Sequence, residues 1–320
     1  MIKKKFSKKT IGLISAALIF GLLFVYNLYR GDRPHLLVVS TGSPGGVYYP
    51  LGGAISEVIS RNLDGVRLDS ESTSGSVENI RLVGNKESDF AMATENAAFK
   101  GAEGEYPFSR PYPVLALFNM YSAPLHIITL EGKGIETMED LAGRRVSIDA
   151  PGSGTEEMAR TLLGELGLLD QIRTENYNQQ EAAAALRDGN VDAVFWNFAY
   201  PASVVMEVSA THRLVFIPLE DEEIALIEEE YPYFAGDAIP AGTYDHQDED
   251  IPVIAVNNVL VARADLDDEL AYDMTRILFS NRERLIEVHD IARRISLETA
   301  TETSVEIHPG AARFFKEMEE

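Results

Sequence analysis

The sequence predicts an α/β protein with two lobes, each a mainly parallel sheet flanked by helices, joined by two hinge crossings. A length of 320 residues suits two lobes of about 100–150 residues each. Short apolar runs, which predict strands, alternate with segments in which apolar residues recur at the spacing of a helix. The order strand, small-residue turn, helix occurs in both halves of the chain. Such an alternation of strands and helices is typical of sheets with parallel strands.

The first half of the chain opens on a strand that leads into a glycine-rich turn. The apolar run 36–40 predicts the strand, residues 41–46 form the turn, and apolar residues recur at helical spacing from Leu51 onward. A second strand near 66–71 leads in the same way into the turn 73–76 and another helix. Both helices therefore begin directly after a turn of small residues.

The second half repeats this order and then returns to the first lobe. A strand at 146–148 leads into the turn 151–155 and a helix, and the apolar run 252–262 precedes the final helices. We expect the two chain crossings to form a hinge, with a ligand cleft between the lobes. The expected division is residues 31–126 plus 256–320 for lobe 1 and residues 127–255 for lobe 2.

The N-terminus carries an export signal. Five lysines lie within residues 1–10, and residues 11–29 hold no charge. As a helix, this segment would be about 28 Å long, enough to cross the apolar core of a bilayer. Residues 1–30 therefore predict a signal peptide or an uncleaved signal anchor with one transmembrane helix, and the lack of a small-residue cleavage pattern favours the anchor. Since the lysines should stay inside, we expect a periplasmic or otherwise extracytoplasmic protein tethered to the inner membrane.

Composition excludes several classes of function. The chain has no cysteine, which excludes disulfides, thiolate metal sites and thiol catalysis. The formal net charge of −23 disfavours nucleic acid as a partner. The six histidines show no metal-binding spacing, and the chain has neither a phosphate-binding loop nor a nucleophile elbow. We therefore expect no metal, no cofactor and no catalytic residues.

Three turns rich in Gly, Ser and Thr lie between a strand and the start of a helix. Free N–H groups and the positive end of the helix dipole make such a start a binding site for carboxylate or phosphate. In a simpler interpretation, Ser76, Ser153 and Thr155 only cap their helices. Because three such turns are spread over both expected lobes, we favour an anion-binding cleft.

Several side chains near these turns allow two interpretations each. Tyr48 and Tyr49 either pack or donate to a ligand carboxylate, and Trp196 either fills the core or forms a cleft wall. Asn197 is a possible polar contact, and Arg81 either forms a surface ion pair or binds a ligand carboxylate. The candidate ligand-binding residues are Thr41, Gly42, Gly45, Gly46, Tyr48, Tyr49, Ser74, Ser76, Asn79, Asn96, Ser153, Gly154, Thr155 and Trp196.

Five segments resemble, in order, the motifs of the TAXI family, the substrate-binding subunits of a class of tripartite ATP-independent (TRAP) transporters. The segment TGSPGGVYYPLG at residues 41–52 resembles the opening motif, and GSVENIR at 75–81 resembles the second. The stretch 140–155 is similar to the third, and residues 191–201 and 271–275 also fit in order. Each motif is weak by itself, but five in order are specific.

The resemblance implies a type II periplasmic binding protein, or Venus flytrap, that carries out no chemistry itself. Such a subunit captures a small carboxylate, such as glutamate, glutamine or 2-oxoglutarate, and delivers it to TRAP membrane permease subunits. A membrane-tethered sensory ligand-binding module and an enzyme on the same fold remain as alternatives. Glu95 departs from the family pattern, and beside an anion site it makes sense only if it binds an ammonium group of the ligand.

Overall fold

The computed structural model describes residues 34–44 and 46–320. The expected signal segment 1–30 and the candidate ligand residue Gly45 lie outside the described residues. Within the described ranges, no helix is both long and apolar enough to cross a membrane.

Strands and helices alternate through most of the chain, as predicted. The strands are β1 His35–Ser40, β2 Val66–Glu71, β3 Phe90–Thr94, β4 Val114–Leu130, β5 Arg145–Ser147, β6 Arg173–Glu175, β7 Ala193–Asn197, β8 Leu214–Phe216, β9 Phe234–Ile239 and β10 Ile251–Arg263. The α-helices are α1 Tyr48–Asn62, α2 Ser76–Gly84, α3 Glu95–Glu103, α4 Gly154–Glu165, α5 Gln179–Arg187, α6 Ser203–Ser209, α7 Asp221–Glu230, α8 Asp268–Ser280, α9 Arg282–Val288 and α10 Pro309–Glu319, with short 3-10 helices at Glu139–Leu141 and Asp290–Arg294.

Lobe 1 is built on β1, which lies between β2 and β3 and runs parallel to both. Alternate residues of β3 point to opposite faces of the sheet. Phe90 and Met92 join the apolar cluster that holds α1, whereas Ala91 and Ala93 join the cluster that holds α2. The sheet is therefore covered by helices on both faces, which explains why β3 is apolar from Phe90 to Ala93.

Lobe 2 repeats this arrangement around β5, which lies between β6 and β7 and runs parallel to both. On β7, Ala193 and Phe195 join the apolar cluster that holds α4. Val194 and Trp196 point to the other face and join the cluster formed with α5 and α6. The two lobes thus have similar construction, as the order of elements in the sequence predicts.

Two long strands, β4 and β10, run antiparallel through both lobes. Residues 114–124 of β4 pair with β10, whereas residues 125–129 pair with β7 of lobe 2. Because the chain leaves lobe 1 along β4 and returns along β10, pairing at the crossing has to be antiparallel. The sheets are therefore mixed: parallel in β1–β3 and β5–β7, and antiparallel at the crossings. The exact lobe limits, after residues 126 and 255, stay a prediction, and both positions fall inside these two strands.

The C-terminal segment packs against lobe 1. Phe279 of α8 lies between Phe118 of β4 and Phe314 of α10, with ring centroids 5.1 Å and 5.6 Å apart. Before α10 the chain runs beside β4, where the Ala116 N–H donates to the Glu306 carbonyl at 2.8 Å. The returning chain therefore completes the lobe that its N-terminal part began.

Candidate functional site

A cleft of about 290 Å³ lies between the lobes, where β1, β3, β5 and β7 end and the following turns begin. In α/β sheets, ligands bind outside the carboxyl ends of the strands. The volume is at the lower end of the range for ligand pockets, so the cleft suits a small ligand. Its lining residues are Gly42, Ser43, Val47, Tyr48, Ser74, Ser76, Thr94, Tyr121, Ala123, Asp149, Ala150, Ser153, Gly154, Thr155, Asn178, Gln179, Asn197, Phe198, Ala199 and Asn258.

Tyr48 forms part of the lobe 1 wall, at the start of α1. Its side chain packs against Gly42, where an added Cβ would lie 3.4 Å from the Tyr48 Cβ. Its hydroxyl donates to Oδ1 of Asn258 on β10. Burial raises the pKa of Tyr48 well above its ordinary value, so the phenol stays neutral. Tyr48 therefore ties the first turn to a strand that crosses between the lobes.

Ser76 and Thr94 place hydroxyl groups deep in the lobe 1 wall. Ser76 is the first residue of α2, and its Oγ accepts a hydrogen bond from the Thr94 N–H at 3.0 Å. Thr94 ends β3 and directly precedes α3. Its Oγ1 is buried and has no hydrogen-bond partner among the described residues. A buried hydroxyl without a partner costs stability, so this group is a candidate ligand contact.

The turn between β5 and α4 forms the lobe 2 wall. Ser153 caps α4, and its Oγ accepts from the Glu156 N–H at 3.0 Å. Asp149 is buried in the same turn with a left-handed backbone, φ 76°, and its Oδ1 accepts from the Ala150 N–H at 2.8 Å. Burial raises the pKa of Asp149 to about 6, while the Ala150 N–H and the hydroxyls of Thr155 and Ser153 act in the opposite direction. This wall thus carries a carboxylate whose hydrogen-bonding neighbours are neutral donors.

The two walls touch, so the structure is a closed form. The Val77 N–H, at the start of α2, donates to the Gly152 carbonyl of lobe 2 at 3.0 Å. Gly154 lies so close to lobe 1 that a Cβ there would be 2.2 Å from Thr94 Oγ1 and 2.7 Å from Ser76 Oγ. Only a residue without a side chain allows this approach.

A buried ion pair joins the lobes beside the cleft. The Lys100 ammonium and the Asn96 amide, both on α3, donate to the Glu157 carboxylate on α4. The side chains of Lys100 and Glu157 are only 11% and 5% exposed, and Lys100 Nζ lies 5.5 Å from the centroid of the Tyr231 ring. Because its members come from different lobes, this pair exists only when the lobes are together.

The cleft itself carries little charge. Among its described lining residues, Asp149 is the one Asp, Glu, Lys, Arg or His side chain, and the other polar groups are hydroxyls and amides. In the part of the chain that the structure describes, no cluster of three or more His, Asp or Glu side chains is placed to hold a metal ion. The arrangement offers a ligand neutral donors and one carboxylate.

Comparison with known proteins gives the family. A model of the NMT1-like family matches residues 39–318. The chain belongs to the NMT1-like family. The narrower resemblance to TAXI subunits stays a prediction.

Two solved structures share the fold of this NMT1-like protein. PhnD1 from Prochlorococcus marinus, solved in complex with methylphosphonate, superimposes with a TM-score of 0.54 at 12% identity, covering 89% of this chain and 96% of that chain. A Listeria monocytogenes protein assigned as an L-cystine ABC transporter gives a TM-score of 0.51 at 14% identity, covering 84% and 99%. These similarities confirm the predicted two-lobed fold of periplasmic binding proteins.

Part of the predicted site lies on the cleft lining, as the residues named at the end of this paragraph show. A further residue that the sequence suggested as a polar contact, Asn197, lines the cleft as well, and its amide donates to the Ala123 carbonyl at 2.7 Å. That any of these residues contacts a ligand stays a prediction. The candidate residues on the lining are Gly42, Tyr48, Ser74, Ser76, Ser153, Gly154 and Thr155.

Thr41 and Asn79 lie behind the cleft, inside lobe 1. The amide of Asn79 donates to the carbonyls of Thr41 at 2.6 Å and Met92 at 2.7 Å. The Thr41 hydroxyl donates to the Glu71 carbonyl at 2.7 Å. These hydrogen bonds join the residue that follows β1 to the end of β2 and to the middle of β3. Neither residue lines the cleft in this structure, so a ligand contact at these two positions stays an untested prediction.

Four further candidates lie off the lining. Asn96 is buried against Glu157, and Trp196 is only 1% exposed because it packs in the lobe 2 core. Tyr49 is 46% exposed, since the turn of α1 that points Tyr48 into the cleft points its neighbour away. Gly46 borders a neighbouring surface depression instead.

Glu95 and Arg81 form hydrogen bonds within lobe 1. The Glu95 carboxylate accepts hydrogen bonds from both the N–H and the hydroxyl of Ser304, the latter at 2.6 Å. Glu95 thus fixes the C-terminal segment to the start of α3 and is not in a position to bind a ligand ammonium group. Arg81 donates to the Pro107 carbonyl at 2.9 Å and does not line the cleft.

Sequence reasoning missed several lining residues. Thr94 directly follows the apolar run 90–93 and Asp149 follows the predicted strand 146–148, at the edge of the sheet where ligands bind, so position alone could have indicated them. Asn258 comes from β10, and Asn178 and Gln179 come from the start of α5. None of these three is next to a glycine-rich turn, so no local pattern marks them.

Proposed function

We propose that this chain is an extracytoplasmic solute-binding subunit that captures a small carboxylate between its lobes and delivers it to the permease of a TRAP-type transporter. The observation that carries the proposal is a closed cleft whose walls come from different lobes, meet at Gly154 and present neutral hydroxyl and amide groups. Closure brings both walls onto the ligand and excludes water, so affinity depends on lobe movement.

The TAXI-like motifs support the narrower assignment to a TRAP transporter. The segments 41–52, 75–81 and 140–155, which resemble three of the family motifs, each supply residues of the cleft lining. An N-terminal anchor in residues 1–30 would keep the binding protein close to its permease.

A ligand screen on the full chain in mild detergent tests the proposal. Melting is followed by intrinsic fluorescence with glutamate, glutamine, 2-oxoglutarate, succinate or inorganic phosphate. A ligand present at 100 times its dissociation constant stabilises the folded state by about 2.7 kcal/mol, which raises the melting temperature by several degrees. We expect a shift with at least one carboxylate. Cooperative melting with no shift from any of them would refute capture of these small carboxylates.

Thr94→Val separates ligand contact from protein stability. Valine has nearly the same shape, and the hydroxyl it replaces has no partner among the described residues. The empty protein should therefore melt at the same or a slightly higher temperature, while ligand affinity falls about five- to tenfold. Thr137→Val removes an exposed hydroxyl that is not on the cleft lining, so it should leave ligand affinity unchanged. Unchanged affinity in Thr94→Val would remove Thr94 from the site.

Binding without chemistry is checked directly. The protein is incubated at stoichiometric concentration with the ligand found in the screen, and the ligand is recovered after denaturation and analysed by NMR. We expect it unchanged, because the cleft has one carboxylate and no His, Lys or Arg beside it among the described lining residues. Turnover would replace the transport proposal with an enzymatic one.

A further inference from the structure

Asp149 is a buried carboxylate with no counter-ion among the described residues that line the cleft. The residue is 5% exposed and lines the cavity, and no Lys, Arg or His belongs to the described lining. Its Oδ1 accepts from the Ala150 N–H at 2.8 Å, and the nearby hydroxyls are neutral. A buried carboxylate that is charged but unpaired is unfavourable, so its retention needs a reason.

A charged group on the adjoining helix that acts on Asp149 is also negative. Glu156 of α4 disfavours the ionised form of Asp149. The Glu156 carboxylate is itself held by the Gly152 N–H at 2.7 Å and by Arg160 at 3.1 Å. Arg160 is thus engaged by Glu156, so it leaves Asp149 without a cation in the described structure.

This carboxylate occupies the place where the sequence predicts a ligand anion. The start of α4 and the hydroxyls of Ser153 and Thr155 favour a negative charge, and Asp149 already supplies it. A second carboxylate from the ligand would be repelled there. Lobe 1, in contrast, presents the partnerless Thr94 hydroxyl beside Ser76 at the start of α2. The cleft therefore has a negative wall in lobe 2 and a donor wall in lobe 1.

We propose that Asp149 binds a protonated amino group of the ligand while lobe 1 holds its carboxylate, so that the cleft takes amino acids in preference to the corresponding 2-keto acids. This inference rests on the proposed function and narrows it to zwitterionic ligands. The ammonium group gives Asp149 the counter-ion that the described lining residues do not provide. It also assigns to Asp149 the role that the sequence suggested for Glu95.

Matched ligand pairs test the inference, because each pair shares one carbon skeleton. Binding of L-glutamate and 2-oxoglutarate, and of L-alanine and pyruvate, is measured by titration calorimetry on the full chain. We expect the amino acid of at least one pair to bind at least about tenfold more tightly than its keto acid, the size of a charge-assisted hydrogen bond. Asp149→Asn should weaken the amino acid by a similar factor and leave the keto acid unchanged or tighter.

The control and the possible failures are distinct. Asp188→Asn removes an exposed charge from the same lobe and should leave the preference intact. Keto acids binding as tightly as amino acids would overturn the inference while the proposed function stands. Binding of none of the four acids, together with no shift in the ligand screen, would refute both. If Asp149→Asn does not fold, the wild type still gives an answer. Protonation of Asp149 near its pKa of about 6 should weaken amino acid binding between pH 7.5 and pH 5 without weakening keto acid binding. An equal change in affinity for both ligands over this interval would overturn the inference.

Discussion

Adding one methyl group at Gly154 should hold the two lobes apart. In the closed form the Cβ of Gly154→Ala would lie 2.2 Å from Thr94 Oγ1 and 2.7 Å from Ser76 Oγ, so the lobes must separate by about 1 Å to reach ordinary contact distances. Overpacking of this kind costs about 1–3 kcal/mol. Because the methyl group is free of clashes in an open form, the cost falls on closure and should weaken ligand binding by roughly five- to 150-fold.

Titration calorimetry with the ligand from the screen measures this loss, and small-angle X-ray scattering shows whether the variant stays open. Gly164→Ala is the matched control, since it lies in the same helix and its Cβ would meet nothing within 4 Å. The control should bind normally and melt slightly higher, because alanine favours the helix. Wild-type affinity in Gly154→Ala would refute the inference that the lobes close this tightly around the ligand.

Three further predictions concern buried polar side chains. Lys100→Met should leave the Glu157 carboxylate uncompensated in the closed form, so the scattering profile of the empty protein should shift toward an open form and ligand binding should weaken at least about tenfold. The double variant Lys100→Met with Glu157→Gln should recover part of the lost affinity, and no recovery would contradict a direct pair. Asn79→Leu should lower the free energy of unfolding by about 2–4 kcal/mol in denaturant titrations while the folded protein keeps its ligand affinity, and lost affinity at full stability would instead support a ligand contact. Burial lowers the pKa of His126 to about 4, so between about pH 6.5 and pH 4 the unfolded chain binds more protons at this residue than the folded chain. The neutral side chain therefore contributes at most about 3 kcal/mol to the free energy of unfolding above pH 6.5, and this contribution is lost as pH falls. His126→Gln should therefore lose less stability than the wild type over that interval, and parallel curves would refute this origin of acid sensitivity.

The lobes could be predicted from the sequence because each is made of local units. A strand such as β3, apolar from Phe90 to Ala93, indicates a sheet covered on both faces, and the helical spacing of apolar residues after the small-residue turns indicates that helices cover it. The mixed direction of the sheets could not be predicted in this way. It depends on where β4 and β10 meet, and their paired residues, such as Ser122 and Asn257, are far apart in the sequence.

The site shows the same division between local and distant information. Ser76 and Ser153, at helix starts that follow glycine-rich turns, line the cleft, because the sheet edge fixes where such turns lie. Hydrogen-bonding capacity alone did not decide which way a side chain points. Asn79 and Asn96 are polar and near the turns, yet each satisfies a buried partner that only the folded chain brings next to it.

The charge of the whole protein adds a constraint that the cleft has to overcome. Residues 1–30 contribute six positive charges and no negative ones to the total of −23, which leaves −29 on the remainder. An anionic ligand is therefore repelled during approach, and salt should screen this repulsion, whose range is about 10 Å at 0.1 M ionic strength. Raising the salt concentration from 20 to 300 mM should speed the association of L-glutamate roughly two- to tenfold in stopped-flow fluorescence, while L-glutamine, a zwitterion without net charge, serves as the control and should be nearly unaffected. If salt slows glutamate instead, a cationic group must lie on the entry path, which would contradict a cleft that captures carboxylates with neutral donors alone.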